Sequence, residues 1–147
     1  VYERLSKRVE GIVRDAHAIA REYEQEWVGT EHVLLAIARD GGGLGAKILA
    51  ASGADYPRIK NEVDLLIRQS MEETWVFGRL PGTPHFKNVM ARAIEAAQQL
   101  DSKEVCTEHL LLALLKEEGS VAYNTLKKLG IDPVKVKTQV QKAKSAG

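Results

Sequence analysis

Residue n of this chain can be laid on residue n+77 without a gap, residues 6–67 falling on 83–144. Between Ala16/Ala93 and Ile67/Lys144, 15 of 52 positions are identical. The identities include Ala20/Ala97, Val28/Val105, the triplets Thr30-Glu31-His32 and Thr107-Glu108-His109, and Leu34-Leu35-Ala36/Leu111-Leu112-Ala113. Gly42/Gly119, Leu49/Leu126, Gly53/Gly130, Asp55/Asp132, Lys60/Lys137 and Val63/Val140 follow. A gapless match of this length marks a duplication, and each copy must form the same supersecondary unit. The halves read as repeat 1 over about 2–67, a joining segment over 68–82, and repeat 2 over about 83–144. A single copy is marginal in size, so the pair is expected to share one core as a single domain.

Each copy reads as four helices. The first starts at a hydroxyl N-cap, Ser6 or its equivalent Thr83, with Pro84 at the first helical position. Val9, Ile12, Val13, Ala16, Ile19 and Ala20 keep helical spacing. The second starts at Thr30 or Thr107. Its runs Val33-Leu34-Leu35-Ala36-Ile37 and Leu110-Leu111-Leu112-Ala113-Leu114-Leu115 are apolar nearly all round, which predicts a central, buried helix. Glycines at 41–43 and at 119 are expected to stop it. A short third helix ends at Gly53 or Gly130, and Asp55 or Asp132 caps the fourth. The joining segment carries Trp75-Val76-Phe77, too apolar for a solvated tether, and is expected to lie over one repeat. The expected fold is therefore all-α: eight helices, two tandem four-helix repeats, one pseudo-twofold. With only 5% aromatics the core must be aliphatic, which suits packed helices.

Composition narrows the function. Net charge is +1, from 21 basic and 20 acidic side chains, so nothing draws the chain generally to nucleic acid or anionic lipid. No run of about 18 apolar residues predicts a membrane span. The N-terminal residues lack the apolar centre of a signal peptide. Cys106 is the single cysteine, which excludes an internal disulfide and points to a reducing, cytoplasmic setting. The lack of an initiator Met fits an excerpt of a longer chain.

Asp40-Gly41-Gly42-Gly43-Leu44-Gly45-Ala46-Lys47 is not a phosphate loop. Ala46 stands where its second Gly belongs, Ile48 follows the Lys, and no strand precedes it. The chain thus has no ATP site of its own. His17, His32, His85 and His109 show no metal-ligand spacing, so a metal would require His32 and His109 to meet across the pseudo-twofold. No nucleophile, base and orienting group can be recognised. Neither catalytic residues, a cofactor nor a metal is expected, and a helical metal-dependent enzyme is the weakest reading.

The triplets remain. Thr30 and Thr107 suit caps, and Glu31 and Glu108 suit the positive end of a helix. The histidines suit a bond to neighbouring backbone. Capping alone does not explain identity between triplets whose flanks differ, Gly29 facing Cys106 and Glu26-Trp27 facing Lys103-Glu104. The functional reading takes each Glu as an exposed acid beside free helix-start N–H groups. The expected pocket forms if Ser6 neighbours Thr30 and Thr83 neighbours Thr107. It offers donors to an anion and a carboxylate to a guanidinium, a match for a zwitterionic side chain.

The doubled stretches Val28-Gly29-Thr30-Glu31-His32-Val33-Leu34-Leu35-Ala36 and Val105-Cys106-Thr107-Glu108-His109-Leu110-Leu111-Leu112-Ala113 resemble the Clp N-terminal domain of ClpA- and ClpC-type AAA+ unfoldases. The opening Tyr2-Glu3-Arg4-Leu5-Ser6-Lys7-Arg8 is similar to that family's, and the resemblance covers about 2–142. It implies a non-catalytic receptor that takes substrate or adaptor proteins and passes them to AAA+ modules and, through them, to a ClpP-type peptidase. It further implies that Glu31 and Glu108 bind phosphorylated arginine, with Ser6 and Thr83 as nearby helix starts. Cys106 and Glu104 depart from the family's Gly and aromatic, which makes the two corners unequal. A free-standing regulator that docks on a Clp complex is the alternative.

Overall fold

A computed structural model describes residues 5–25, 28–77 and 83–146; within these, the side chains of 68–77, 83 and 144–146 are not described. Among the described residues eight helices run in chain order. Repeat 1 supplies α1 (Lys7–Glu22), α2 (Thr30–Asp40), α3 (Leu44–Ala51) and α4 (Tyr56–Phe77). Repeat 2 supplies α5 (Thr83–Gln99), α6 (Thr107–Leu114), α7 (Val121–Lys128) and α8 (Pro133–Ala146). The fold is the expected all-α pair of four-helix repeats. None of the described helices is long and apolar enough to cross a membrane.

Local chemistry sets the boundaries. Ser6 caps α1, its Oγ accepting from the Val9 N–H at 3.1 Å. Asp55 accepts from the Arg58 N–H at 3.1 Å and Asp132 from the Val134 N–H at 2.9 Å, so both carboxylates cap as the sequence predicts. Gly53 and Gly130 follow α3 and α7 with φ of +85° and +80°, a left-handed turn that a Cβ would strain. Two boundaries differ from expectation. α6 ends at Leu114, well before Gly119, and the turn that follows carries Glu117, whose carboxylate accepts from Arg92 of α5 at 3.0 Å. The joining segment is helical through its first ten residues, 68–77, which continue α4. The predicted seat of Trp75-Val76-Phe77, like the aromatic of Trp27, lies outside the described residues.

The core is continuous across the repeats. Val33, Leu34, Ala36 and Ile37 of α2 are inaccessible to solvent, as are Leu110, Leu111 and Leu114 of α6. These helices are central because no face of either run is polar enough to meet water. α3 packs on α6, and its counterpart α7 packs on α2. Each repeat thus lays its short third helix on the other's buried helix, and the pseudo-twofold runs through that exchange. At the edge, Leu5 bridges to Val105, and the Ser6 N–H donates to the Val105 carbonyl at 3.0 Å.

Candidate functional site: two unequal corners

The triplets sit where the repeats interlock. Thr30 and Thr107 open α2 and α6 but do not cap them; the N-cap residues are Gly29 and Cys106. Each hydroxyl instead caps a helix of the other repeat. Thr107 Oγ1 accepts from the Gly45 N–H at 3.0 Å, and Thr30 Oγ1 accepts from the Ala122 N–H at 3.2 Å. Gly45 and Ala122 are themselves 77 residues apart, so the contact is reciprocal. The expectation of a cap within each copy is corrected: the helix starts served are those of α3 and α7. Both threonines are buried, at 2% and 3% exposure, and are unsuited to contacting a ligand.

The histidines perform the local capping. His32 Nδ1 accepts from the Gly29 N–H at 2.8 Å, and His109 Nδ1 accepts from the Cys106 N–H at 2.8 Å. This is the third-position half of a capping box, with imidazole in place of Glu or Gln. The bond requires an unprotonated Nδ1. Burial lowers the His32 pKa to about 4, and its Nε2 has no hydrogen-bond partner among the described residues. An unfolded His titrates near 6.5, so the unfolded chain binds more protons between pH 6.5 and about 4. Stability therefore falls as pH drops through that window, by roughly 3 kcal/mol in full. His32→Gln keeps an acceptor and removes the proton. Urea melts from pH 7 to 4 should show that much less acid sensitivity in the variant; equal slopes would refute the assignment. Glu31 acts in the opposite sense, so the difference between the two proteins is the quantity to read.

The acids differ. Glu31 is 2% exposed, so the expected exposed acid is not found in the first copy. Burial raises its pKa, against a bond to its own backbone N–H and the nearby His85. Its carboxylate folds back over Gly29, where any Cβ would collide with it. Cys106 has that Cβ. Glu108 is accordingly half-buried, and among the described residues no cation pairs with it. The Ser6 start lies beside Val105 and Cys106, which makes the second corner a joint product of both repeats where the sequence predicted Ser6 beside Thr30. The side chain of Thr83 lies outside the described residues.

Sequence reasoning missed several neighbours. Arg8 donates to Asp40 at 2.6 Å, and its stem closes with Thr107 over Gly43. Its equivalent His85 meets Glu117 at 2.7 Å, joined by Asn88 Nδ2 at 2.9 Å and Arg92 Nε at 3.0 Å. Burial pushes the Glu117 carboxyl up, but these donors prevail and hold it below its ordinary value. The signal was available: His85, Asn88 and Arg92 lie on one helical face. Cys106, Glu108 and His109 bring potential ligand atoms within 4.8 Å of one another. The Cys106 thiol is pushed up by burial and then by Glu108 and Glu104, which disfavours the thiolate a metal needs. A cavity of about 200 Å³ opens beside Glu108 and His109, with apolar walls from α3, α8 and Leu100 just past α5.

The architecture defines a class: a duplicated all-α domain whose two repeats interlock through matching helix starts. The family model described as the Clp repeat N-terminal domain matches residues 4–107 and 82–147. The chain belongs to this family. It is 34% identical over 95% of its length to the ATP-dependent Clp protease ATP-binding subunit ClpA homolog of Brassica napus, a chloroplastic protein. Identity is also 34%, over 95% of the chain, to the chloroplastic chaperone protein ClpC1 of Arabidopsis thaliana. It spans 16% and 15% of those relatives. Among solved structures, the N-terminal domain of the caseinolytic protease associated chaperone ClpD from Arabidopsis thaliana superposes with TM-score 0.70 at 18% identity, covering 100% of this chain and 97% of that one. Another, from structural work on a malarial protein secretion system, gives TM-score 0.76 at 19% identity, covering 96% and 95%. Those likenesses establish the fold.

Proposed function

We propose that this domain receives substrate or adaptor proteins for an ATP-dependent Clp unfoldase, with arginine-phosphorylated segments as the ligand and the Glu108 corner as the principal seat. The observation that carries this reading is the contrast between the acids. Glu108 is half-buried and, among the described residues, without a cation, whereas Glu31 is folded against its own helix start. A guanidinium on Glu108 gains a charge-assisted, potentially bidentate contact. Ser6, beside Cys106, and Arg8, whose stem meets Thr107 over Gly43, come from the other repeat and can serve the phosphate. Glu31, with the Thr83 helix start as its proposed partner, is the weaker counterpart. Thr30 and Thr107 support the corners without touching ligand.

The AAA+ modules and a ClpP-type peptidase are the proposed downstream partners, in a reducing compartment corresponding to the cytoplasm. The test is a calorimetric titration with an arginine-phosphorylated peptide against the wild type and a Glu31→Ala/Glu108→Ala double variant. Loss of a charge-assisted contact costs roughly 1.5–3 kcal/mol. A drop of at least tenfold in affinity supports the site; equal binding by both proteins sinks it.

A further inference from the structure

Two ion pairs sit together in the first repeat. Arg39 pairs with Glu22 at 3.2 Å and Lys60 with Asp64 at 3.0 Å. Arg39 also donates to the Tyr56 hydroxyl at 2.9 Å, and the Lys60 ammonium lies 5.4 Å from the centre of the Tyr23 ring. The bond from Arg39 outweighs desolvation and, with the Arg39 and Lys60 charges, holds the Glu22 carboxyl below its ordinary value. Adding 77 to each number keeps both cations, as Lys116 and Lys137, and turns both acids into amides, Gln99 and Gln141. A third acid, Glu62, becomes Gln139, so α8 carries four lysines and no acid. The helices that carry these residues pack alike in both repeats: α5 on α6 and α6 on α8, as α1 on α2 and α2 on α4. Lys116 lies in the turn that closes α6, its N–H donating to the Ala113 carbonyl at 3.1 Å, and both lysines are exposed. Among the described residues no acid pairs with either.

We propose that Lys116 and Lys137 form a docking surface for an acidic segment of a partner protein, whose carboxylates take the places that Glu22 and Asp64 hold in the first repeat. The first repeat neutralises this pair of cations from within; the second leaves them to be neutralised by a bound chain. Gln99 and Gln141 present amide donors to that chain where acids would repel it. The ligand is a polypeptide and not a nucleic acid. Leu100 and Pro133 stand where Tyr23 and Tyr56 flank the cations of the first repeat, so these positions offer no ring to a base. Lysine in place of Arg39 also gives up the planar fork that suits phosphate. The pairs form in exposed positions, so binding weakens as salt rises. The surface does not draw on the reading of Glu108, and the two stand or fall separately.

The test is a heteronuclear NMR titration of the full chain at low salt with end-blocked Gly/Ser peptides carrying either several glutamates or the same number of glutamines. An oligothymidylate of similar length is the nucleic-acid arm. The glutamate peptide should shift the amides of Lys116 and Lys137 and bind tighter than the oligonucleotide. It should also bind roughly fourfold or more tighter than the glutamine peptide, the product of two exposed ion pairs each worth about twofold to fivefold. Lys116→Gln/Lys137→Gln should erase that preference. Gln99→Glu/Gln141→Asp, which restores the first repeat's acids, should do the same with both lysines in place. Lys47→Gln, on α3, should leave it unchanged. All five positions are exposed, so the variants keep the core intact. Equal affinity for the two peptides, a preference that survives both double variants, an equal loss from Lys47→Gln, tighter oligonucleotide binding, self-association of the chain in place of peptide binding, or no binding at all overturns the surface.

Discussion

Thr107→Val lowers stability by roughly 1–3 kcal/mol, and Thr30→Val by a similar amount. Valine keeps the shape and removes the acceptor. The Gly45 and Ala122 N–H groups, both in buried residues, are then left unpaired at the starts of α3 and α7. The two bonds share no atoms, so the double variant should lose roughly 2–6 kcal/mol. That is a large share of the 5–15 kcal/mol typical of a domain. Thr→Ser at either position retains the hydroxyl and should recover most of the loss. Urea denaturation reads the effect as a lower midpoint at unchanged slope. A double variant as stable as the wild type would remove the threonines from the interface between repeats.

Exchanging the residues before the triplets should exchange the corners' behaviour. Cys106→Gly removes the Cβ that keeps Glu108 from folding back over the start of α6. Glu108 should then adopt the posture of Glu31, and affinity for an arginine-phosphorylated peptide should fall roughly tenfold or more, the cost of a charge-assisted contact. Gly29→Ala does the reverse. The backbone there, at φ −109° and ψ 175°, is open to any residue, so the collision is with the Glu31 carboxylate alone. Displacing it should free the α2 start and give the first corner measurable affinity. Affinity unchanged by Cys106→Gly would show that the Cβ does not control the acid.

Helical periodicity made α2 and α6 legible, because their unbroken apolar runs left burial as the only option. The duplication was legible in the same way, and the identical triplets marked the corners where the repeats interlock. Their connections were not. Thr107 reaches Gly45 across 62 residues and Thr30 reaches Ala122 across 92, and no sequence period encodes a contact made by docking two units. The Gly29/Cys106 difference was visible, but its direction depended on where the Glu31 carboxylate lies.

The central claim is that duplicated triplets serve one shared structural purpose and one unshared binding purpose. Calorimetry with a single arginine-phosphorylated peptide on wild type, Glu31→Gln and Glu108→Gln tests this directly. The account predicts one dominant site, kept in Glu31→Gln and weakened at least tenfold in Glu108→Gln. Two equivalent sites, or equal losses from the two variants, would contradict it.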